Sequence, residues 1–227
     1  MNTEQSIAQG MARLGINIQA AAPLADYVAL LERWNRVYNL TAVRKAEDIV
    51  IRHILDSLSI FPWIQGPRIL DVGSGAGLPG IPLALTYPEW TFYLLDSNGK
   101  RTRFLQQAVS ELELSNVEVV RARVESYHID RNFNSIVSRA FATLHDMLKC
   151  SGHLCADDGR ILAMKGNHLE NELANLPENF RLVGIYPVKV PGLIAERYLA
   201  HLAPVFSDKF SIQDRVETPK NFSWSDT

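Results

Sequence analysis

The sequence predicts an α/β fold: an open, mainly parallel, doubly wound sheet with a helical cap before it and an antiparallel pair of strands at its end. Three observations predict this. An apolar run, Arg68-Ile69-Leu70, leads through a glycine-rich turn, Asp71 to Gly80, into the apolar stretch Ile81-Pro82-Leu83-Ala84-Leu85. Strand, tight turn and helix in that order form the nucleotide-binding corner of an open α/β sheet. From Arg68 to about Pro204, short apolar runs alternate with helical patterns, the rhythm of crossover-connected parallel strands. Before them, residues 3–62 carry apolar residues at helical spacing only.

In chain order, Ile7, Met11 and Leu14 define a first helix, and Leu24, Val28, Leu31, Trp34, Val37 and Tyr38 a second that follows Pro23. A third is expected from Asp48 to Phe61, stopping near Pro62. Gln65-Gly66-Pro67 breaks the pattern and places a boundary between a cap, residues 1–66, and the main domain, residues 67–206. Strands are expected at Ile69–Asp71, Phe92–Asp96, Val117–Arg121, Ser135–Ser138 and Arg160–Met164, and helices at Ile81–Thr86, Lys100–Leu114 and Leu144–Cys150. Pro79 suits the opening turn of the first of these helices, where an amide hydrogen would have no partner. Phe180–Val190 and Arg197–Leu202, joined around Pro191-Gly192, read as an antiparallel hairpin closing the sheet. Residues 207–227 are polar and aperiodic, the composition of a disordered tail.

Composition narrows the class. With 47% hydrophobic and 21% charged residues, the 227-residue chain is an ordinary globular one. No stretch is long and apolar enough to span a bilayer, and Met1-Asn2-Thr3-Glu4-Gln5-Ser6 lacks the basic start of a signal peptide, so a cytoplasmic location is expected. Two cysteines, Cys150 and Cys155, are too few for a disulfide scaffold or a zinc site, and are expected to be buried thiols. A formal net charge of −2 means that a phosphate-bearing partner must find a local basic patch.

Three ligands compete for the glycine turn. A phosphate loop fails, because Ile81-Pro82 stands where Lys and Ser or Thr are required. Gly75-Ala76-Gly77-Leu78-Pro79-Gly80 fits a dinucleotide fingerprint, but the strand ends four residues earlier, at Asp71, too soon for one. An acid two residues before the first glycine of Gly73-Ser74-Gly75-Ala76-Gly77 is instead the signature of class I methyltransferases (Rossmann-like) that use S-adenosylmethionine (SAM). Asp71 can hold the cationic methionine end directly or through water, and Gly75 belongs to the turn that lets the ligand approach. Asp96, ending the second strand, is placed to take the two ribose hydroxyls; its competing reading is a cap on the following helix.

The ordered runs Asn39-Leu40-Thr41-Ala42, Arg52-His53-Ile54-Leu55-Asp56-Ser57-Leu58, Asp71 to Gly80, Leu95-Asp96-Ser97-Asn98-Gly99-Lys100-Arg101, Val137-Ser138-Arg139-Ala140-Phe141 and Ala163-Met164-Lys165-Gly166 resemble the bacterial 16S ribosomal RNA methyltransferase G family, also called glucose-inhibited division protein B. The likeness covers about residues 1–205. It implies methyl transfer from SAM to the ring nitrogen 7 of a guanine in the decoding-region loop of 16S rRNA, within the small ribosomal subunit, by a monomer that needs no metal. It further implies that Gly73 and Leu78 line the cofactor, that Val124 and Glu125 meet its adenine side, and that Arg139 sits by its methionine end.

The chemistry agrees. The chain has no Asn-Pro-Pro-Tyr motif, no cysteine in a Pro-Cys or Thr-Cys loop, and Ser138-Arg139 where a 2′-O-methyltransferase would carry its aspartate. Guanine nitrogen 7 has a free lone pair, so no catalytic general base is expected and alignment supplies the acceleration. RNA phosphates are assigned to Arg123, Arg139 and Lys165, each at or just past a strand's C-terminal end, and to Arg197 beside the last strand. Arg33, Arg36, Arg44, Lys45 and Arg52 in the cap can add to that grip, diluted by Glu32, Glu47 and Asp48. His53 and Asp56, one helical turn apart, are expected to share a helix-surface hydrogen bond. The alternatives are a SAM enzyme acting on another RNA or a small molecule, a nicotinamide-dependent oxidoreductase, and a binding module that keeps the fold without activity.

Overall fold

The computed structural model describes residues 2–139, 143–166, 170–173 and 175–205. The expected tail at 207–227 and Ala140-Phe141 lie outside them. Helix α1 (Thr3–Arg13) opens on a capping box: the Asn2 side chain accepts from the Gln5 amide while the Gln5 side chain reaches back to the Asn2 amide. It buries Ile7 and Met11 against α2 (Ala21–Tyr38), which turns Leu24, Tyr27, Val28 and Leu31 inward. The third helix starts earlier and ends earlier than the sequence suggests. It runs as α3 (Ala46–Ile49), a π-helical stretch Val50–Leu55 and α4 (Asp56–Leu58), and Pro62 sits in a separate 3-10 turn at Phe61–Trp63. Widening the helix over Val50–Leu55 changes which side chains share its inner face, a shift that apolar spacing at 3.6 residues does not reveal.

Seven strands form one sheet in the order β3-β2-β1-β4-β5-β7-β6. They are β1 (Arg68–Val72), β2 (Thr91–Asp96), β3 (Val117–Arg121), β4 (Phe133–Ser138), β5 (Cys155–Lys165), β6 (Phe180–Pro187) and β7 (Tyr198–Pro204). The first five are parallel; β7 runs antiparallel between β5 and β6. Helices α5 (Gly80–Thr86), α6 (Gly99–Glu111), α7 (Leu144–Ser151) and α8 (Glu170–Leu173) complete the chain. The alternating strand residues divide the core in two. Ile69, Phe92 and Leu94 face the cap, α5 and α6, while Leu70, Tyr93 and Leu95 face α7. β5 starts at Cys155, ahead of the expected Arg160, because Cys155 pairs with Phe133 before an irregular register, and regular pairing resumes at Arg160 with Ser135. β6 ends at Pro187, where the Val188 amide bonds the Arg197 carbonyl at 2.8 Å and closes the hairpin.

Strand order reverses at β1, with β2 on one side and β4 on the other, and this switch point puts the ends of β1, β2 and β4 around one crevice. The turn after β1 is built for close packing. Gly77 has φ +84°, and a Cβ there would run into the Ile81 side chain. Gly77→Ala should therefore lose about 3 kcal/mol, from left-handed strain and overpacking together. The expected result is a melting temperature about 6–12 °C lower, read by calorimetry. An unchanged transition would show that the turn yields.

Candidate active site: two clefts meeting at Arg139

The first cleft, of about 470 Å³, lies over the glycine turn at the switch point. The end of β2 holds the turn in place: the Leu95 carbonyl accepts from the amides of Gly73 at 2.8 Å and Ser74 at 3.1 Å. From the other side, the buried Tyr27 hydroxyl of the cap donates to the Ala76 carbonyl. Gly73, Gly75, Leu78, Asp96, Val124 and Glu125 all line this cleft, as the sequence expects of them. Asp96 is 3% exposed and accepts from the Gly75 amide at 3.0 Å and the Asn98 amide at 2.8 Å. Arg101 reaches one of its oxygens at 3.4 Å. Asn98 is the residue that caps α6, with its side chain on the Lys100 amide at 2.9 Å, so capping does not account for Asp96. A carboxylate has room for about four donors, which leaves Asp96 free acceptor capacity toward the cleft.

Asp71 is placed otherwise. It is 1% exposed and is not part of the cleft wall. One carboxylate oxygen accepts from the Gly80 amide at 2.9 Å, tying the end of β1 to the start of α5; the other is buried and has no hydrogen-bond partner among the described residues. Burial pushes its carboxyl up to about 7, against the Gly80 bond and the Arg139 charge, which pull it down. Its influence on a ligand thus comes from beneath the turn rather than through contact.

The four cations assigned to RNA do not stand together. Arg123 lines the first cleft. Lys165 and Arg197 line a second one, of about 350 Å³, with Val43, Arg52, His53, Asp56 and Met164. Arg139 is part of both walls. Its Nη1 donates to the Arg52 carbonyl at 3.2 Å, lies 3.1 Å from His53 Nδ1 and pairs with Asp56 at 3.6 Å. The other oxygen of Asp56 takes Arg197 Nε at 3.1 Å, so one buried carboxylate sits between two guanidiniums. Burial raises the Asp56 carboxyl, and both guanidiniums work against that. Lys165 pairs with Glu172 at 3.0 Å.

His53 and Asp56 are thereby corrected. Both are buried, at 6% and 3% exposure, and they meet at Arg139 rather than bonding each other on a helix surface. His53 Nε2 is 2.7 Å from the Thr41 hydroxyl, and Nδ1 is 2.9 Å from the Arg52 carbonyl. Burial, then the Arg139 charge, bring its imidazole down to about 4, so the ring is neutral at physiological pH and a weak base. The signal available in the sequence was the clustering of polar residues in Arg52-His53-Ile54-Leu55-Asp56-Ser57, which no solvent-facing stripe would require. Cys155 is buried and Cys150 half-buried, and burial raises both thiols, that of Cys155 to about 12. Among the described residues no group of His, Cys, Asp and Glu could hold a metal ion, and no helix is long and apolar enough to cross a membrane.

Residues 20–200 match the family described as rRNA small subunit methyltransferase G. The chain belongs to that family. It is 50% identical over 211 residues to the Ribosomal RNA small subunit methyltransferase G of Nitrosospira multiformis, covering 89% of this chain and 98% of the relative. With its counterpart in Laribacter hongkongensis it shares 48% over 204 residues, covering 89% and 99%. Among solved structures, the glycopeptide N-methyltransferase MtfA, complexed with S-adenosyl-L-methionine, superimposes with a TM-score of 0.56 at 10% identity, over 68% of this chain and 88% of that one. TrmN from Thermus thermophilus gives 0.55 at 19%, over 75% and 53%. Those two likenesses are of fold, and they place this rRNA methyltransferase on the class I architecture that its glycine turn predicts. Methyl transfer to small-subunit rRNA thereby prevails over the nicotinamide reading of that turn. A donor and an acceptor need adjoining sites, and in this methyltransferase the two clefts share the Arg139 side chain.

Proposed function

We propose that this protein transfers a methyl group from SAM to nitrogen 7 of a guanine in the decoding-region loop of 16S rRNA. The first cleft takes the donor: Asp96 the ribose hydroxyls, Val124 and Glu125 the adenine side, the turn from Gly73 to Leu78 and Arg139 the methionine end. The second takes the extruded guanine, with Lys165, Arg197 and Arg139 on its phosphates and polar edge. Arg123 stays with the donor cleft, where it can reach either ligand. The single observation that carries this reading is the state of the titratable groups in the second cleft. Asp56 is held between two guanidiniums, and His53 is a weak base with both ring nitrogens engaged. Each of their polar atoms is already engaged, which leaves neither placed to take a proton from an amine or hydroxyl acceptor.

Guanine nitrogen 7 asks for no such service. Its lone pair forms the new bond to the methyl carbon while the carbon–sulfur bond breaks and sulfur keeps the electron pair, leaving a neutral thioether and a cationic 7-methylguanine. No proton moves. The chain's task is to hold nitrogen, carbon and sulfur in line, a form of catalysis worth about 7–11 kcal/mol in favourable intramolecular cases. The described walls of both clefts come from one chain, which favours a monomer acting on the small subunit in the cytoplasm, and an in-line transfer that moves no proton asks for no metal. Incubation with methyl-labelled SAM and small subunits from cells lacking this gene, followed by digestion and separation of nucleosides, tests the proposal. Label in 7-methylguanosine from one 16S site is expected. Label in another nucleoside, or none, would move the acceptor elsewhere.

A further inference from the structure

Between the two clefts lies a short lip, residues 39–45, following α2. Leu40 and Thr41 line the donor cleft and Val43 lines the acceptor cleft. Buried Asn35 fixes its shape, donating to the Val43 carbonyl at 3.0 Å and accepting from the Thr41 amide at 2.9 Å. The Thr41 hydroxyl accepts from the Val43 amide at 3.1 Å, and Arg44 bonds the Asn39 side chain at 3.1 Å. A loop tied this often to a buried amide is preorganised. Just before it, the last turn of α2 leaves Val37 71% and Tyr38 37% exposed. The Tyr38 ring stacks on Trp34, centroids 5.0 Å apart at 25°, and Trp34 stands edge-on to the fully buried Phe104 at 5.6 Å. An aromatic column therefore runs from the core to the surface and ends on a partly open ring, within about 11 Å of chain from Thr41. Exposed cations occupy neighbouring positions of the chain, Arg36 in the same last turn of α2 and Arg44 and Lys45 in the lip; among the described residues, no carboxylate forms a salt bridge with them. Arg33 differs, being tied to Glu111 at 2.6 Å.

We infer that the end of α2 and its lip are a docking surface for the single-stranded RNA beside the target guanine: a base stacks on Tyr38, and Arg36, Arg44 and Lys45 take the adjoining phosphates. The chemistry fits that partner because an open ring beside cations without a carboxylate partner is how proteins hold unstacked nucleotides without reading their sequence. The position fits because any strand delivering a base to the acceptor cleft can run along the lip that edges it. Loss of the Trp34–Tyr38 column would thus affect RNA engagement and leave the donor cleft intact. This inference rests on the RNA-directed reading of the second cleft.

The test compares wild type, Tyr38→Ala, Tyr38→Trp and the triple variant Arg36→Ala/Arg44→Ala/Lys45→Ala. Each is titrated with a mixed-sequence single-stranded oligoribonucleotide, with its duplex, with SAM and with unmethylated small subunits. Tyr38→Ala should weaken single-strand binding and raise KM for subunits about tenfold, the loss of roughly one stacked base. SAM affinity and duplex binding should hold, and Tyr38→Trp should restore the single-strand affinity. The triple variant should flatten the dependence of log K on log salt by about 0.7 for each phosphate it no longer neutralises. Wild-type single-strand affinity in Tyr38→Ala would overturn the inference. So would weakened subunit binding with unchanged RNA binding, which would assign the surface to a ribosomal protein. If wild type methylates no rRNA, the proposed reaction fails, and the oligoribonucleotide titration still decides this surface by itself.

Discussion

Arg139→Ala is expected to lower methyl transfer to small-subunit rRNA by two to three orders of magnitude, about the loss produced by removing one preorganised donor from a site that excludes water. The guanidinium is the shared wall of both clefts, and its side chain is only 21% exposed. One of its nitrogens, Nη1, meets three groups from the π-helical stretch and the start of α4: the Arg52 carbonyl, His53 Nδ1 and Asp56. Burial lowers its pKa and the Asp56 charge opposes this, so it stays protonated. Truncation leaves Asp56 with Arg197 alone, and breaking a buried pair from one side can remove up to about 3–5 kcal/mol of stability. Arg139→Lys separates the two effects. It returns a positive charge beside Asp56 as a point charge on a flexible stem, without the planar fork of five donors that can keep those contacts and present others to a ligand. Its melting temperature should recover most of the loss while its rate stays at least about tenfold below wild type, since alignment and not charge alone is at stake. Single-turnover rates at saturating SAM make the comparison. An Arg139→Ala rate within a factor of about three of wild type would remove Arg139 from the reaction.

How far the sequence reaches can be judged from those same residues. The glycine turn and Asp96 fall on one cleft because the switch-point rule depends only on strand order and on which strand end a residue occupies, both readable from apolar runs, whereas Val124 and Glu125, which join them, are reached only through the family resemblance. The same rule puts Arg123, Arg139 and Lys165 at the ligand edge but carries no lateral information. It therefore could not tell that Arg123 stands with the donor cleft while Lys165 and Arg197 stand with the other. The cap's part in the site was hidden for a different reason. A helix drawn with a 3.6-residue repeat through 48–61 sends His53 and Asp56 to its surface, whereas the π-helical stretch turns both inward against Arg139. Depth was hidden too. Asp71 stands at the end of β1, one residue before its last, yet its side chain lies below the turn, because a buried strand end has two sides and the sequence does not say which one its side chain takes.

The position of Asp71 leads to a prediction in which stability and affinity move in opposite directions. Its carboxyl sits at about 7 in the folded chain against about 3.9 unfolded, so the native state holds the extra proton between those values. With more protons bound in the native than in the unfolded state, stability falls as pH rises from about 4 to about 7 and is level above that. That difference corresponds to something on the order of 4 kcal/mol, all of it set against the fold by pH 8. An asparagine in place of the acid would keep an oxygen for the Gly80 amide and carry no charge to bury, while leaving its new amide hydrogens unpaired at a cost of about 1–3 kcal/mol. Asp71→Asn should thus melt below wild type at pH 4 and above it at pH 8, with the curves crossing between. Donor binding should respond the other way. SAM brings a sulfonium and an ammonium, which favour the ionised carboxylate beneath the turn, so wild-type affinity should rise as pH climbs toward about 7.5. A unit charge about 10 Å away at an effective dielectric near 20 is worth about 1.7 kcal/mol, so Asp71→Asn should bind SAM about tenfold more weakly at pH 7.5 and nearly as well as wild type at pH 5. Taking the variant as reference cancels the titration of the donor's own ammonium. Parallel affinity curves would mean that the charge of Asp71 does not reach the ligand, and parallel melting curves that its carboxyl is not raised; the two together would leave the acid as nothing more than the strut between β1 and α5.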